Sequence, residues 1–334
     1  MVAVGLVTVA CVSHPDISQP RTPAILGSAP LCEASGATRA PWDRHLILIV
    51  DNEAPDAVFG FRVGDDGLFG QQTVIPIAGT SLPQDGEALA TLDDQVVIIG
   101  SHGRNRWCER RPAKERVMIT RWNASSESLE LVSSRDDTAL IDRTLVSVEG
   151  CLEALFVMPP PAFAEALCRS IVAAENNLER ERCVPPLDLE ATAALPSPEG
   201  SRIWIGLRQP RVNGHPALVR MAASFDGPLF DGVALLGTTD RGIRAMTVDD
   251  DQLWVVLGPG SPDFATSSVW TTAVATVRPG ETPLGRIAAG GLPPASEGLL
   301  IDGNEAIVVI DGNESPNGEG PCLRPARQLR LALE

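Results

Sequence analysis

Short apolar runs recur along this chain, each bounded by turn residues and unbroken by polar positions. They read Leu46-Ile47-Leu48-Ile49-Val50, Val96-Val97-Ile98-Ile99, Ile203-Trp204-Ile205, Leu253-Trp254-Val255-Val256-Leu257 and Ile307-Val308-Val309-Ile310. A half-exposed strand alternates apolar and polar residues, so consecutive apolar positions predict strands covered on both faces. A more mixed segment precedes each run, with an ionic residue near its start. These anchors are Glu33, Glu87, Glu190, Arg244 and Glu297, spaced 54, 103, 54 and 53 residues apart. Units of about fifty-four residues built from short strands are the signature of a β-propeller, whose stacked blades supply the missing cover.

The second unit holds four strands, Ala88–Leu92, Val96–Gly100, Arg116–Trp122 and Leu129–Ser133, separated by turn signals at Asp93-Asp94 and Asn123-Ala124-Ser125-Ser126. The last unit offers only Gly298–Asp302, Ala306–Ile310 and Gln328–Leu333, so Ala24–Leu31 is expected to supply its fourth strand and close the ring. Within the doubled interval, Pro159-Pro160-Pro161 precedes Ala162–Arg182, whose alanine, leucine, glutamate and arginine favour helix. Residues 135–187 therefore form either a helical insertion between two blades or a degenerate sixth blade. The expectation is one all-β domain over residues 24–334, a propeller of five or six blades, behind an N-terminal tail of residues 1–23.

In such a fold the first strand of each blade lies nearest the axis and the second returns antiparallel to it. The start of one and the end of the other meet on one face. This rule brings Glu33 to Asp51, Glu87 to His102, Glu190 to Arg208 and Glu297 to Asp311, and sets Arg244 beside Gly258. Glu53, Arg104 and Arg241 flank the same channel mouth. Carboxylates crowded round an axis raise each other's pKa unless a counter-charge intervenes. Arg208, Arg241 and Arg244 could supply that charge, as could a bound cation. Calcium suits oxygen ligands, with Asp51, Glu53 and Asp311 as candidates. Arg208 is the foremost ligand-binding candidate, because a guanidinium can hold a carboxylate or phosphate bidentately. The competing reading pairs it with Glu190 in a purely structural hub. Ser101 and His102 are adjacent and so point to opposite faces of a strand, and no G-x-S-x-G elbow is present.

Composition narrows the partners. With 27 basic and 43 acidic residues the net charge is −16, and no basic stripe offers nucleic acid a footing. Apart from Cys11 there are six cysteines, Cys32, Cys108, Cys151, Cys168, Cys183 and Cys322; an even set suits an oxidising, extracytoplasmic compartment. Cys32 opens the first unit and Cys322 follows the last, so a bridge between them would fasten the seam. Without C-x-x-C spacing, and with scattered histidines, a zinc site is not expected. Val2–Ala10 is too short to span a bilayer. Small residues before Cys11 fit a lipoprotein processing site that would leave a lipid anchor there; the alternative is a frayed tail.

The chain resembles the domain of unknown function 3616 family of bacterial proteins. The resemblance is carried by Glu33-Ala34-Ser35-Gly36 with Asp51-Asn52-Glu53, Gly86-Glu87-Ala88-Leu89-Ala90 with Gly100-Ser101-His102-Gly103-Arg104, and Leu189-Glu190-Ala191 with Gly206-Leu207-Arg208-Gln209-Pro210. Arg241-Gly242-Ile243-Arg244 and Pro294-Ala295-Ser296-Glu297-Gly298 complete it. The chain departs where Asp311-Gly312-Asn313 replaces a double aspartate, which weakens a metal at Asp311. The resemblance implies a propeller and no particular activity. More distantly the repeat is similar to propellers of phytase-like and esterase-like secreted proteins, in fold only. Three functions follow as expectations. The first is an exported module binding a small polar ligand or partner at the channel mouth. The others are a calcium-assisted hydrolase of phosphate or carboxylic esters, and a protein–protein scaffold.

Overall fold

The computed structural model describes residues 24–25, 31–51, 54, 56–64, 67–80, 83–103, 109, 111–136, 147–176, 187–223, 227–259, 266–312 and 325–333. Among the described residues five four-stranded antiparallel blades follow one another round an axis, the first two joined at their outer edges by a short parallel pairing of Ile77 with Leu129 and Ala78 with Glu130. After β1 (Ala24–Ile25), blade 1 is β2 (Ala34–Ala40), β3 (Asp43–Asp51), β4 (Ala57–Val63) and β5 (Phe69–Ala78). Blade 2 is β6 (Gly86–Leu92), β7 (Gln95–Gly100), β8 (Arg116–Asn123) and β9 (Ser128–Asp136). Blade 3 is β10 (Asp188–Leu195), β11 (Arg202–Gln209), β12 (Ala217–Met221) and β13 (Phe230–Leu235). Blade 4 is β14 (Arg241–Asp249), β15 (Gln252–Pro259), β16 (Ser267–Ala273) and β17 (Arg286–Leu292). Blade 5 is β18 (Ser296–Asp302), β19 (Glu305–Ile310) and β20 (Arg327–Ala332), with β1 as its outermost strand. The innermost strands β2, β6, β10, β14 and β18 neighbour one another in a closed ring.

The consecutive apolar runs now have their physical reason. Along β3, Leu46, Leu48 and Val50 pack toward blade 2, whereas Ile47 and Ile49 pack toward blade 5. Along β7, Val96 and Ile98 meet blade 1, and Val97 and Ile99 meet blade 3. Both faces of each second strand are thus walls of an inter-blade layer, and five such layers hold the ring together. Each buried aliphatic side chain contributes roughly 1.5–3 kcal/mol by leaving water.

Closure works as the strand count required. In the first and last units, Ala24 pairs with Gln328 and Ile25 with Arg327. Further bonds cross the seam, from Ala326 N to Leu31 O at 2.7 Å and from Gly312 N to Cys32 O at 3.1 Å. Cys32 is disulfide-bonded; Cys322, its expected partner, lies outside the described residues, as do Cys11, Cys108, Cys183 and the N-terminal tail.

The described residues of the doubled interval form an insertion, which leaves five blades among the described residues. It contains α1 (Val148–Leu155) and α2 (Ala164–Asn176), joined by a Cys151–Cys168 disulfide with Cα atoms 5.7 Å apart. The triple proline signalled α2, but α1 was not anticipated; Ser147 caps it by accepting a hydrogen bond from Gly150 N. Leu155, Leu167 and Ile171 extend the layer between blades 2 and 3, and Val157 N donates to Phe230 O.

Candidate functional site

Every innermost strand skips one residue in its pairing with the second strand. The skipped residues are Gly36, Glu87, Glu190, Arg244 and Glu297. A bulge leaves a residue outside the ladder and re-aims its side chain. Four of the five anchors read from the sequence are therefore bulge residues. The fifth is corrected. Glu33 precedes β2, and Gly36 holds the corresponding position. The reason is space: Gly36 has φ +55°, and a Cβ there would lie 2.9 Å from Ala88 Cα, Glu87 O and Leu89 N. Blade 1 can add no side chain at the axis, and Ser35 Oγ instead donates to Glu297 Oε2 at 3.1 Å.

Three of the other four, Glu190, Arg244 and Glu297, join with Arg208 to knit blades 3, 4 and 5. Arg244 Nη1 donates to Glu190 Oε2 at 3.1 Å and to Glu297 Oε1 at 2.6 Å, while Arg208 Nη1 donates to Glu190 Oε1 at 2.5 Å. Arg244 and Glu190 are buried. The Arg208 side chain remains 39% exposed. Arg244 lies across Gly258, where a Cβ would come 2.5 Å from its Cγ, and its Nε has no hydrogen-bond partner among the described residues. Burial opposes the Arg244 charge, but Glu190 and Glu297 outweigh it and its pKa is raised. The Arg208 pKa is raised too, chiefly by Glu190.

Two acids that the sequence reading missed complete the cluster. Asp188 and Asp85 each stand two residues before an anchor glutamate, and that D-x-E spacing was the available signal. Burial, then the Glu190 charge, raises the Asp188 pKa to about 8, although Arg208 Nη1 lies 3.9 Å away. Glu87 is pushed well up by burial and by Asp85, Glu190, Glu297 and Asp188; burial raises Glu297 too. Asp85 Oδ2 accepts from Ser101 Oγ at 2.5 Å and from Lys114, the only lysine in the sequence, at 2.6 Å. Ser101 O accepts from Leu189 N across the gap between blades 2 and 3.

The remaining candidates divide. His102 is buried beside this cluster at φ +55°, with Nδ1 2.9 Å from Gly100 O. Arg241 donates to Leu257 O and Thr266 O of its own blade. Asp51 belongs to the seam, where its Oδ2 accepts from Cys32 N at 2.9 Å, and Asp311 N donates to Ala295 O. Glu53 and Arg104 lie outside the described residues. Among the described residues no three His, Cys, Asp or Glu side chains are placed to hold a metal ion, and no helix is long and apolar enough to cross a membrane.

No protein-family model and no curated protein matches the chain. Solved structures match the chain at low identity. A PQQ-bound aldose sugar dehydrogenase from Streptomyces coelicolor is 11% identical over 96% of this chain and 98% of that one, with TM-score 0.43. An α-L-arabinofuranosidase from Clostridium thermocellum is 7% identical over 92% and 94%, with TM-score 0.46. A luciferin-regenerating enzyme is 10% identical over 94% and 95%, with TM-score 0.43.

Proposed function

We propose that the protein is an exported β-propeller that binds a small polar ligand at the mouth where the innermost strands begin. The observation that carries this reading is the Asp188–Glu190–Arg208 group. A hub built only to close the ring needs its charges buried and paired. Here Arg208 is still two-fifths exposed, and Asp188 sits near the point of half-ionisation at mildly alkaline pH. Perturbed acids beside a reachable guanidinium are a common mark of a binding site. The Arg208 guanidinium offers a ligand carboxylate or phosphate a charge-assisted contact, and Asp188 in its protonated form offers a hydroxyl donor. Export is supported by the Cys151–Cys168 disulfide, since such bonds persist in oxidising compartments.

The test replaces Arg208 with methionine and titrates both proteins with inorganic phosphate and with a panel of small dicarboxylates. Saturable binding to the parent, lost in Arg208→Met at a nearly unchanged melting temperature, supports a site. A melting temperature that falls steeply while binding persists assigns Arg208 to the hub alone. Metal analysis and an esterase and phosphatase screen on the same preparation address the calcium-assisted hydrolase. Bound calcium together with turnover would replace the binding reading.

A further inference from the structure

Five carboxyl groups meet at the mouth where the innermost strands begin: Asp85 and Glu87 from blade 2, Asp188 and Glu190 from blade 3, and Glu297 from blade 5. Among the described residues they share three cations, Lys114, Arg208 and Arg244. An anion entering this cluster in its fully ionised form would meet net negative charge. Yet the group that reaches solvent is a cation. The Arg208 guanidinium, 39% exposed, spends Nη1 on Glu190 Oε1, while its Nε and Nη2 make no hydrogen bond among the described residues. Asp188 stands beside it as a rival for the same guanidinium. Its Oδ2 lies 3.9 Å from Arg208 Nη1, too far for a hydrogen bond, and its carboxyl, only 7% exposed, accepts none among the described residues. Resting on the reading of Arg208 as a ligand contact, we propose that this mouth binds a small oxyanion together with one proton, held on the Asp188 carboxyl, so that the ligand is taken up near neutral pH and released in alkaline solution.

The arrangement requires that coupling. As a carboxylate, Asp188 competes with the ligand for Arg208 and repels it. As an acid, it is neutral and carries an unengaged hydroxyl, so an oxyanion seated on Arg208 can accept from both groups. The other acids facing Asp188 are already held. Glu190, on its own strand, is bonded by Arg208 and Arg244, Glu297 by Arg244 and Ser35, and Asp85 by Lys114 and Ser101. From blade 2 come also Glu87 and the buried His102, whose neighbour Gly103 lies against Asp188 Oδ1. Burial, then Glu190, raises the Asp188 pKa to about 8, with Arg208 and Arg244 opposing and Asp85 adding to the rise. The proton is therefore exchanged close to neutrality, where a ligand can control it.

Calorimetric titration of the full chain with sulfate and with succinate, at pH 7 and pH 9, tests the proposal. Both anions keep their charge over this range. Affinity is expected to fall about tenfold from pH 7 to pH 9, and binding at pH 9 to take up close to one proton, read from titrations in buffers of different ionisation enthalpy. Asp188→Asn should bind at pH 9 about as tightly as the parent does at pH 7. If Glu87→Gln or His102→Asn removes the pH dependence instead, the proton sits elsewhere and the proposal falls. The proton count is made on the parent chain, so it decides the matter even where Asp188→Asn does not fold. Absence of binding by either anion at either pH removes the ligand site itself, and this inference with it. Binding that is equal at the two pH values, that tightens at pH 9, or that takes up no proton overturns the inference alone and leaves the site standing.

Discussion

The two ends of the channel are built from the same five strands yet differ in kind. At the end where the strands begin, bulges set Glu87, Glu190, Arg244 and Glu297 outside the ladder, and Arg244 pairs with both Glu190 and Glu297. At the other end the strands pair without interruption at Thr91, Thr192 and Thr247, and the axis stays open. A single extra residue per strand thus decides whether the channel is plugged or hollow. Stability should depend on the plugged end and be nearly indifferent to the hollow one.

The largest expected effect tests the plug. Arg244→Ala leaves Glu190 and Glu297 buried without their shared counter-charge, and breaking a buried pair in this way costs about 3–5 kcal/mol. The deficit should shrink as the pH is lowered, because protonation then relieves Glu297, whose pKa burial already raises. Urea unfolding at neutral and acidic pH measures both, and a deficit that does not vary with pH would break the comparison. Gly36→Ala should follow closely at about 2–4 kcal/mol, combining a strained positive φ with contact against the β6 backbone. An unchanged urea midpoint would mean that β2 does not approach β6 as described.

A smaller effect sharpens the electrostatics. Asp188 has its folded-state pKa raised to about 8, above its unfolded value. The folded protein therefore binds the extra proton between roughly pH 4 and 8. Its contribution is fully present below the unfolded pKa and is lost as pH rises through about 8, with a slope of at most about 1.4 kcal/mol per pH unit. Asp188→Asn, which stays neutral, should flatten that decline in a series of melting temperatures. An unaltered pH profile would show that Asp188 ionises normally. At the hollow end Asp249→Asn should change stability by no more than about 0.5 kcal/mol, as expected of a group bonded to nothing else. A larger loss in chemical denaturation would mean that this end, too, helps hold the ring.

The blades were legible because their signal is local and repeated. Leu46 to Val50 and its counterparts had to be covered on both faces, whatever covered them. The site was legible only in part. Glu87, Glu190, Arg244 and Glu297 stood out because one register serves all four, but the same periodicity drew Glu33 into a place that Gly36 occupies. Asp51 and Arg241 lay at the expected strand ends and yet turned to the seam and to their own blade.

The sequence alone determined the repeat, the doubly covered second strand and the use of β1 to complete the last blade. Each of these follows from hydrophobic pattern and spacing, which the chain carries residue by residue. Tertiary structure decided the rest: five blades, the Cys151–Cys168 partnership, the recruitment of Asp188 and Asp85, and the contrast between a filled and an open channel end. Those outcomes depend on how closely strands from different blades approach the axis. The clearance at Gly36, where a single Cβ would meet the β6 backbone at 2.9 Å, exists only once the ring has closed.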